Sequence, residues 1–209
     1  SSAGVHTALV GALDLCAQFG AKQITLVMPT KGNFDGTVIS EVLGKEVTKA
    51  LQKSRPVNIE GVALCLESPQ TLRNKMSSGV VLAAHISIKD MEIVDATHSA
   101  NAILFLPWIE EEGKQWLSTW MPKVIGPNTW KASGGTLDSE VEAALDRLTR
   151  NINLGSGLGH PSDLAAARRV IATLKSDGHP IDPEEIRRWA LRHNWSATAA
   201  ETLKKICAK

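Results

Sequence analysis

Between Gly4 and Phe19, the apolar residues Val5, Leu9, Ala12, Leu13 and Cys16 recur at spacings of three and four. This is one face of an amphipathic helix, and Gly20 is placed to stop it. The next apolar stretch, Gln23 to Met28, is short, rich in β-formers and closed by Pro29, so it reads as a strand. A second helix is predicted over 37–54, with Val38, Val42, Val47 and Leu51 inward and Gly44 weakening it by roughly 1 kcal/mol relative to Ala. The alternation then repeats. Strands are predicted over 61–66, 80–84 and 102–106, each followed by a helix, over 69–77, 89–97 and 110–120.

These strands are unbroken apolar runs without in/out alternation, the pattern of strands covered on both faces. The expected fold is α/β, an open, mostly parallel sheet of about four strands flanked by helices, Rossmann-like or flavodoxin-like. Strand order does not follow from this pattern. From Met121 to Thr136 the texture changes to Pro122, Gly126, Pro127, Asn128, Gly134 and Gly135, a connector. Everything beyond it carries helical periodicity. A helix over 138–151 presents Val141, Leu145 and Leu148, and Ser162 or Asp163 is positioned to cap a helix reaching Ser176. Asp182-Pro183-Glu184-Glu185 is a helix start, and Ser196 caps a last helix to Cys207. Leu174, Ile186, Trp189, Ala190, Leu191, Trp195, Leu203 and Ile206 are the expected core of this part. The expected division is an α/β domain over 1–125, a linker over 126–137 and a small all-α domain over 138–209.

Charge changes the picture little. Lys and Arg number 23 against 22 Asp and Glu, a net charge of +1, so no whole-molecule field points to nucleic acid or an anionic membrane. No run approaches the ~18–20 apolar residues of a membrane helix. The segment 1–19 lacks a basic leader and carries Asp14, so it reads as a helix of the fold and not as a signal peptide. The cytoplasm is the expected location. Cys16, Cys65 and Cys207 are an odd set at no metal-ligand spacing, and the first two sit in apolar runs, so all three read as structural thiols. No HExxH or Cys/His cluster offers a metal site, no GxSxG elbow supports a hydrolase serine, and no motif names a cofactor.

An open parallel sheet places ligands at the carboxyl ends of its strands. Those ends carry Thr30, Lys31, Gly32 and Asn33, then Glu67 and Ser68, then His85, Ser87 and Lys89, and finally Pro107 and Trp108. Thr30-Lys31-Gly32-Asn33 leads from strand toward helix and adds a cation, so it reads as an anion cradle, although βα turns use the same residue types to leave a sheet. Ser87 and Trp108 would line the remainder, Trp108 as a stacking platform or a packing residue. The leading expectation is a sensor or regulatory module that binds a small anion, a nucleotide or phosphorylated metabolite, and meets a protein partner or another copy through its helical domain. Two alternatives stand beside it. His85 and Glu67 could serve a hydrolase or transferase as acid and base if their strands are neighbours, although a histidine in an apolar run also reads as a core residue. Arg187, Arg188, Arg192, Lys204 and Lys205 could bring the C-terminal helices to nucleic acid, with 196–207 in a major groove, although Asp182, Glu184, Glu185 and Glu201 nearly balance them.

Overall fold

The computed structural model describes residues 1–73, 79–97, 99–126, 130–131 and 135–209. By its internal contacts the chain divides into two compact units, Ser1–Gln115 with Lys123–Trp130 and Trp116–Pro122 with Lys131–Lys209. The first is an α/β unit. It opens with α1 (Ser2–Phe19), capped by the Ser1 hydroxyl on the Gly4 amide and ended by Gly20 at φ 65°, whose left-handed turn lets Ala21 N–H reach Cys16 O at 2.9 Å. Strand β1 (Gln23–Val27) follows, buried from Ile24 onward.

The single helix expected over 37–54 is two helices, α2 (Val38–Leu43) and α3 (Lys45–Gln52). Gly44 separates them at φ 83° and ψ 160°, an extended backbone that no helix can contain. The Thr48 hydroxyl closes the break, donating to Gly44 O at 2.9 Å and Ser40 O at 3.2 Å.

Next come β2 (Val57–Ile59) and β3 (Val62–Glu67), an antiparallel hairpin in which Ile59 pairs with Val62. Its two-residue turn, Glu60-Gly61, takes φ 50° and 83°, the left-handed pair such hairpins require. Helix α4 (Pro69–Leu72) carries a Ser68/Thr71 capping box, and the rest of the helix expected over 69–77 falls on 74–78, outside the described residues. Strand β4 (Gly79–Ala84) is wholly buried and leads to α5 (Ile88–Asp95). Strand β5 (Ala100–Leu106) and the first part of α6 (Glu110–Trp120), up to Gln115, complete the series.

The sheet has five strands in the order β2-β3-β1-β4-β5, one more than the four expected. Strands β3, β1, β4 and β5 run parallel, and β2 is an antiparallel edge, so the sheet is mixed. Glycine is obligatory at 79, where φ is 118° and a Cβ would lie 2.3 Å from the Gln23 carbonyl oxygen of the neighbouring strand. The apolar faces of α1, β1, β3 and β4 share one core that also takes Phe34, Ile39 and Leu51.

In the second unit, α7 (Ser139–Asn151) starts at Asp138, whose carboxylate accepts the amides of Glu140 and Val141. A short 3-10 turn at Gly157–Gly159 precedes α8 (Pro161–Ser176). The cap of α8 is His160, whose Nδ1 accepts from Ser162 N–H and meets the Ser162 hydroxyl at 2.7 Å. Neither Ser162 nor Asp163, the capping residues expected, takes that place, because Pro161 already occupies the first helical position. Helix α9 (Pro183–Arg192) begins at Asp182 and α10 (Ala197–Cys207) at Ser196, as their start signals indicate. Ile186, Trp189, Ala190, Trp195 and Leu203 are buried with Leu145 and Ile171 in the core of this unit, with Leu191 and Ile206 packed half-buried against it. Both core indoles are satisfied, Trp189 Nε1–H donating to Glu142 at 3.2 Å and Trp195 Nε1–H to the Thr149 hydroxyl at 2.9 Å. Among the described residues no helix is long and apolar enough to cross a membrane.

Candidate functional site

The sheet reverses its direction of growth at β1. From β1 the chain adds β3 on one side and then returns to add β4 on the other. At the carboxyl edge the strand ends therefore follow one another as Glu67, Met28-Pro29, His85 and Pro107-Trp108. The reversal lies between β1 and β4, the position at which open α/β sheets seat their ligands.

The loop after β1 is longer than a simple βα turn. Helix α2 begins only at Val38, and its first amides are served by Thr37, whose hydroxyl accepts from Ser40 N–H at 3.1 Å. Thr30, Lys31, Gly32 and Asn33 are consequently not at a helix start. They form the outer rim of a loop pinned by Phe34, which is fully buried, while Thr30, Gly32 and Asn33 stay exposed. Lys31 alone turns inward. Its ammonium lies 2.8 Å from Glu67 Oε2, with the lysine side chain 23% exposed and the carboxylate only 5%. Register explains the encounter: Glu67 pairs with Val27 at the end of the β1–β3 ladder, and Met28 N–H donates to Glu67 O at 3.0 Å, so the loop leaves β1 directly beside the carboxylate.

His85 ends β4 at φ 55°, a left-handed conformation that costs a non-glycine residue about 1–3 kcal/mol. Its amide is held by Leu106 O at 2.9 Å, and the bend drives Ile86 into the interior. Ser87 is exposed and committed to the start of α5, accepting Asp90 N–H at 3.1 Å and donating to Asp90 Oδ2 at 3.0 Å. The His85 ring meets Trp108 edge to face at 4.8 Å between centroids, and Trp108 remains 68% exposed. Burial lowers the His85 pKa below its ordinary value, which favours the neutral imidazole.

The edge thus holds two separate pairs, Lys31 with Glu67 and His85 with Trp108. Glu67 and His85 are not brought together: β3 and β4 each pair with β1, so their strands are not neighbours, and the condition for an acid–base pair is not met. Two strand spacings correspond to about 9–10 Å. Among the described residues no cluster of His, Cys, Asp and Glu could hold a metal ion. The thiols are placed as structural groups: Cys16 and Cys207 are buried, burial raising the pKa of both and that of Cys207 to about 11, and Cys65 is half-buried.

In the helical unit three of the five basic residues singled out from the sequence are in ion pairs. Arg187 meets Glu201 at 3.3 Å and Glu184 at 3.5 Å, Lys204 meets Glu184 at 2.6 Å, and Arg188 meets the buried Glu185. Arg192 donates to Arg188 O, and Lys205 is exposed on α10. The periodicity of the sequence did not single out the Lys31–Glu67 contact. Opposite charges at two strand ends were its available signal, and strand order decided it. Nor did it single out Arg168 and Lys175, seven residues apart on one face of α8.

Residues 137–209 match a protein family described as a domain of unknown function, DUF1889. Neither the curated proteins nor the solved structures give a match to the chain.

Proposed function

We propose that the α/β unit binds a small anionic ligand, a nucleotide or phosphorylated metabolite, at the carboxyl edge between β1 and β4, and that the protein is a sensor or regulatory module whose helical unit meets a partner. The observation that carries this reading is the reversal of strand order at β1, with Lys31, His85 and Trp108 all at that edge. The four parallel strands taken alone run second, first, third, fourth, the order of the flavodoxin-like sheets, which seat a phosphorylated ligand at the same reversal. That likeness of topology supports the location and not the ligand's identity.

The residues suit distinct parts of such a ligand. A lysine ammonium has three donors, so Lys31 can keep Glu67 and still turn a proton toward a phosphoryl oxygen. The Glu67 carboxylate fixes that ammonium and cancels its charge, so the edge selects a ligand that brings hydrogen-bond acceptors as well as charge. Thr30 and Asn33 add exposed donors on the rim. Trp108 offers an open ring face for a base. Burial favours the neutral His85 imidazole, and an anion nearby favours its protonated form.

The test is thermal unfolding of the whole chain against nucleotides, phosphorylated sugars and inorganic phosphate. A ligand at 100 times its dissociation constant stabilises the native state by about 2.7 kcal/mol. Stabilisation that disappears in Trp108→Ala is the expected result, because that exposed ring can be removed without unfolding the unit. Full stabilisation retained in both Trp108→Ala and Lys31→Gln would overturn the assignment to this edge.

A further inference from the structure

The helical unit carries a groove that the α/β site does not use. It lies between α8 and α10, has a volume of about 650 Å³, and is assembled from Leu164, Arg168, Ile171 and Lys175 on one helix and Lys205 and Ile206 on the other. The spacing is that of a single face: 164, 168, 171 and 175 recur at four, three and four along α8. The floor is apolar, Ile171 being buried at 2% and Leu164 and Ile206 half-buried against the core. The rim is cationic, with Arg168, Lys175 and Lys205 exposed. Among the described residues no Asp or Glu lines the groove, and none of the three cations is in an ion pair. Lys175 donates to the Cys207 carbonyl at 2.7 Å, which holds its stem along the groove.

Elsewhere on α9 and α10 the pattern differs: Arg187, Arg188 and Lys204 are each matched by a carboxylate of their own unit. On the α8–α10 face, cations of one sign surround an apolar trough, with no Asp or Glu among the described residues paired to them. An apolar trough asks for apolar side chains, and an unmatched basic rim asks for acidic ones. Leu164 to Lys175 spans about 16 Å of helix, roughly three turns. We infer that this groove docks an acidic amphipathic helix of a partner protein, its apolar residues spaced i, i+4 and i+7 in the trough and its carboxylates against Arg168, Lys175 and Lys205. Duplex nucleic acid fits less well, since it brings phosphates but nothing for the trough. The inference rests on reading the helical unit as the part that meets a partner, and it is independent of any ligand at the sheet edge.

The experiment uses the full chain and a labelled synthetic peptide of about three helical turns, with Leu at i, i+4 and i+7 and Glu at most other positions, followed by fluorescence anisotropy. Saturable binding is expected, weakened at least about tenfold in the double variant Arg168→Glu/Lys205→Glu and by about as much when the peptide's Leu residues become Ser. Both substituted side chains are exposed, so the unfolding midpoint of the double variant should match the parent and report that it folds. Trp108→Ala should leave peptide affinity unchanged, so failure here and failure at the sheet edge are read separately. Absence of saturable binding would overturn the inference. So would equal binding by the double variant or by the Ser-substituted peptide, or tighter binding of anionic vesicles or duplex DNA than of the peptide.

Discussion

Three tryptophans separate the two units. In the helical unit Trp189 and Trp195 are 2% and 3% exposed, with each indole N–H given a partner on α7. In the α/β unit Trp108 is 68% exposed and touches only the edge of His85 among the described rings. A buried indole with its donor satisfied is a structural device: it fills volume and orients the helices around it. An exposed indole at the end of a strand contributes little to folding, and its ring face is available to something else. The charges divide in a related way. The helical unit links Arg187, Arg188 and Lys204 to Glu184, Glu185 and Glu201, whereas at the sheet edge Lys31 meets the nearly buried Glu67. Where the carboxylate is nearly buried, as at Glu67, loss of a neighbouring cation is the costlier change.

The largest effect separating these roles is expected for Trp189→Ala, which removes a core side chain and leaves Glu142 without its donor. Denaturant unfolding should show a loss of about 3–5 kcal/mol. Gly79→Ala should come next in the α/β unit, at about 2–4 kcal/mol, because a Cβ there collides with the Gln23 carbonyl and the backbone is left-handed.

Lys31→Met removes the Lys31 ammonium from beside the nearly buried Glu67 carboxylate. The expected loss is about 1–3 kcal/mol, less than for a fully buried pair because Lys31 keeps some contact with water. Adding Glu67→Gln should restore most of that loss, and a double-mutant cycle without coupling would mean that the pair does not act as a unit.

The pH dependence is a smaller effect with a definite sign. His85 is harder to protonate folded than unfolded, so the stability it confers is complete above its ordinary value of 6.5. That contribution is lost as pH falls below 6.5 toward the lowered value, where the unfolded chain takes up the proton first. His85→Gln should flatten the acid limb of the stability profile below pH 6.5 relative to the parent. An identical acid limb in the two proteins would show that His85 is not buried as described.

The parts of the fold legible in the sequence are those in which local chemistry and long-range packing agree. Gly20 ends α1, Asp182-Pro183 opens α9, and the apolar runs at Gln23–Val27 and Gly79–Ala84 lie in the sheet. Strand β2 was not legible: it is three residues long, and its Glu60-Gly61 turn lacks the Asn-Gly or Asp-Gly pair that announces a left-handed hairpin. Gly44 was legible as a weakness and not as a break, because ending the helix depends on the ψ of one glycine and on the distant Thr48 hydroxyl. Of the candidate site, the strand-end residues followed from a general rule about parallel sheets. Their pairing did not, since Lys31 reaches Glu67 only because β1 and β3 are neighbours, and neighbourhood within a sheet has no local signature.

Nuclear magnetic resonance of the 15N-labelled chain, titrated with a nucleoside triphosphate and separately with inorganic phosphate, compares the two units in one spectrum. The expected result is a shift of the Trp108 indole N–H and of the amides of 30–33 and 85–87 on adding nucleotide, with the Trp189 and Trp195 indoles unmoved. Shifts confined to the helical unit, or a sheet edge that stays silent to both ligands, would contradict an anion-binding site at the carboxyl ends of β1 and β4.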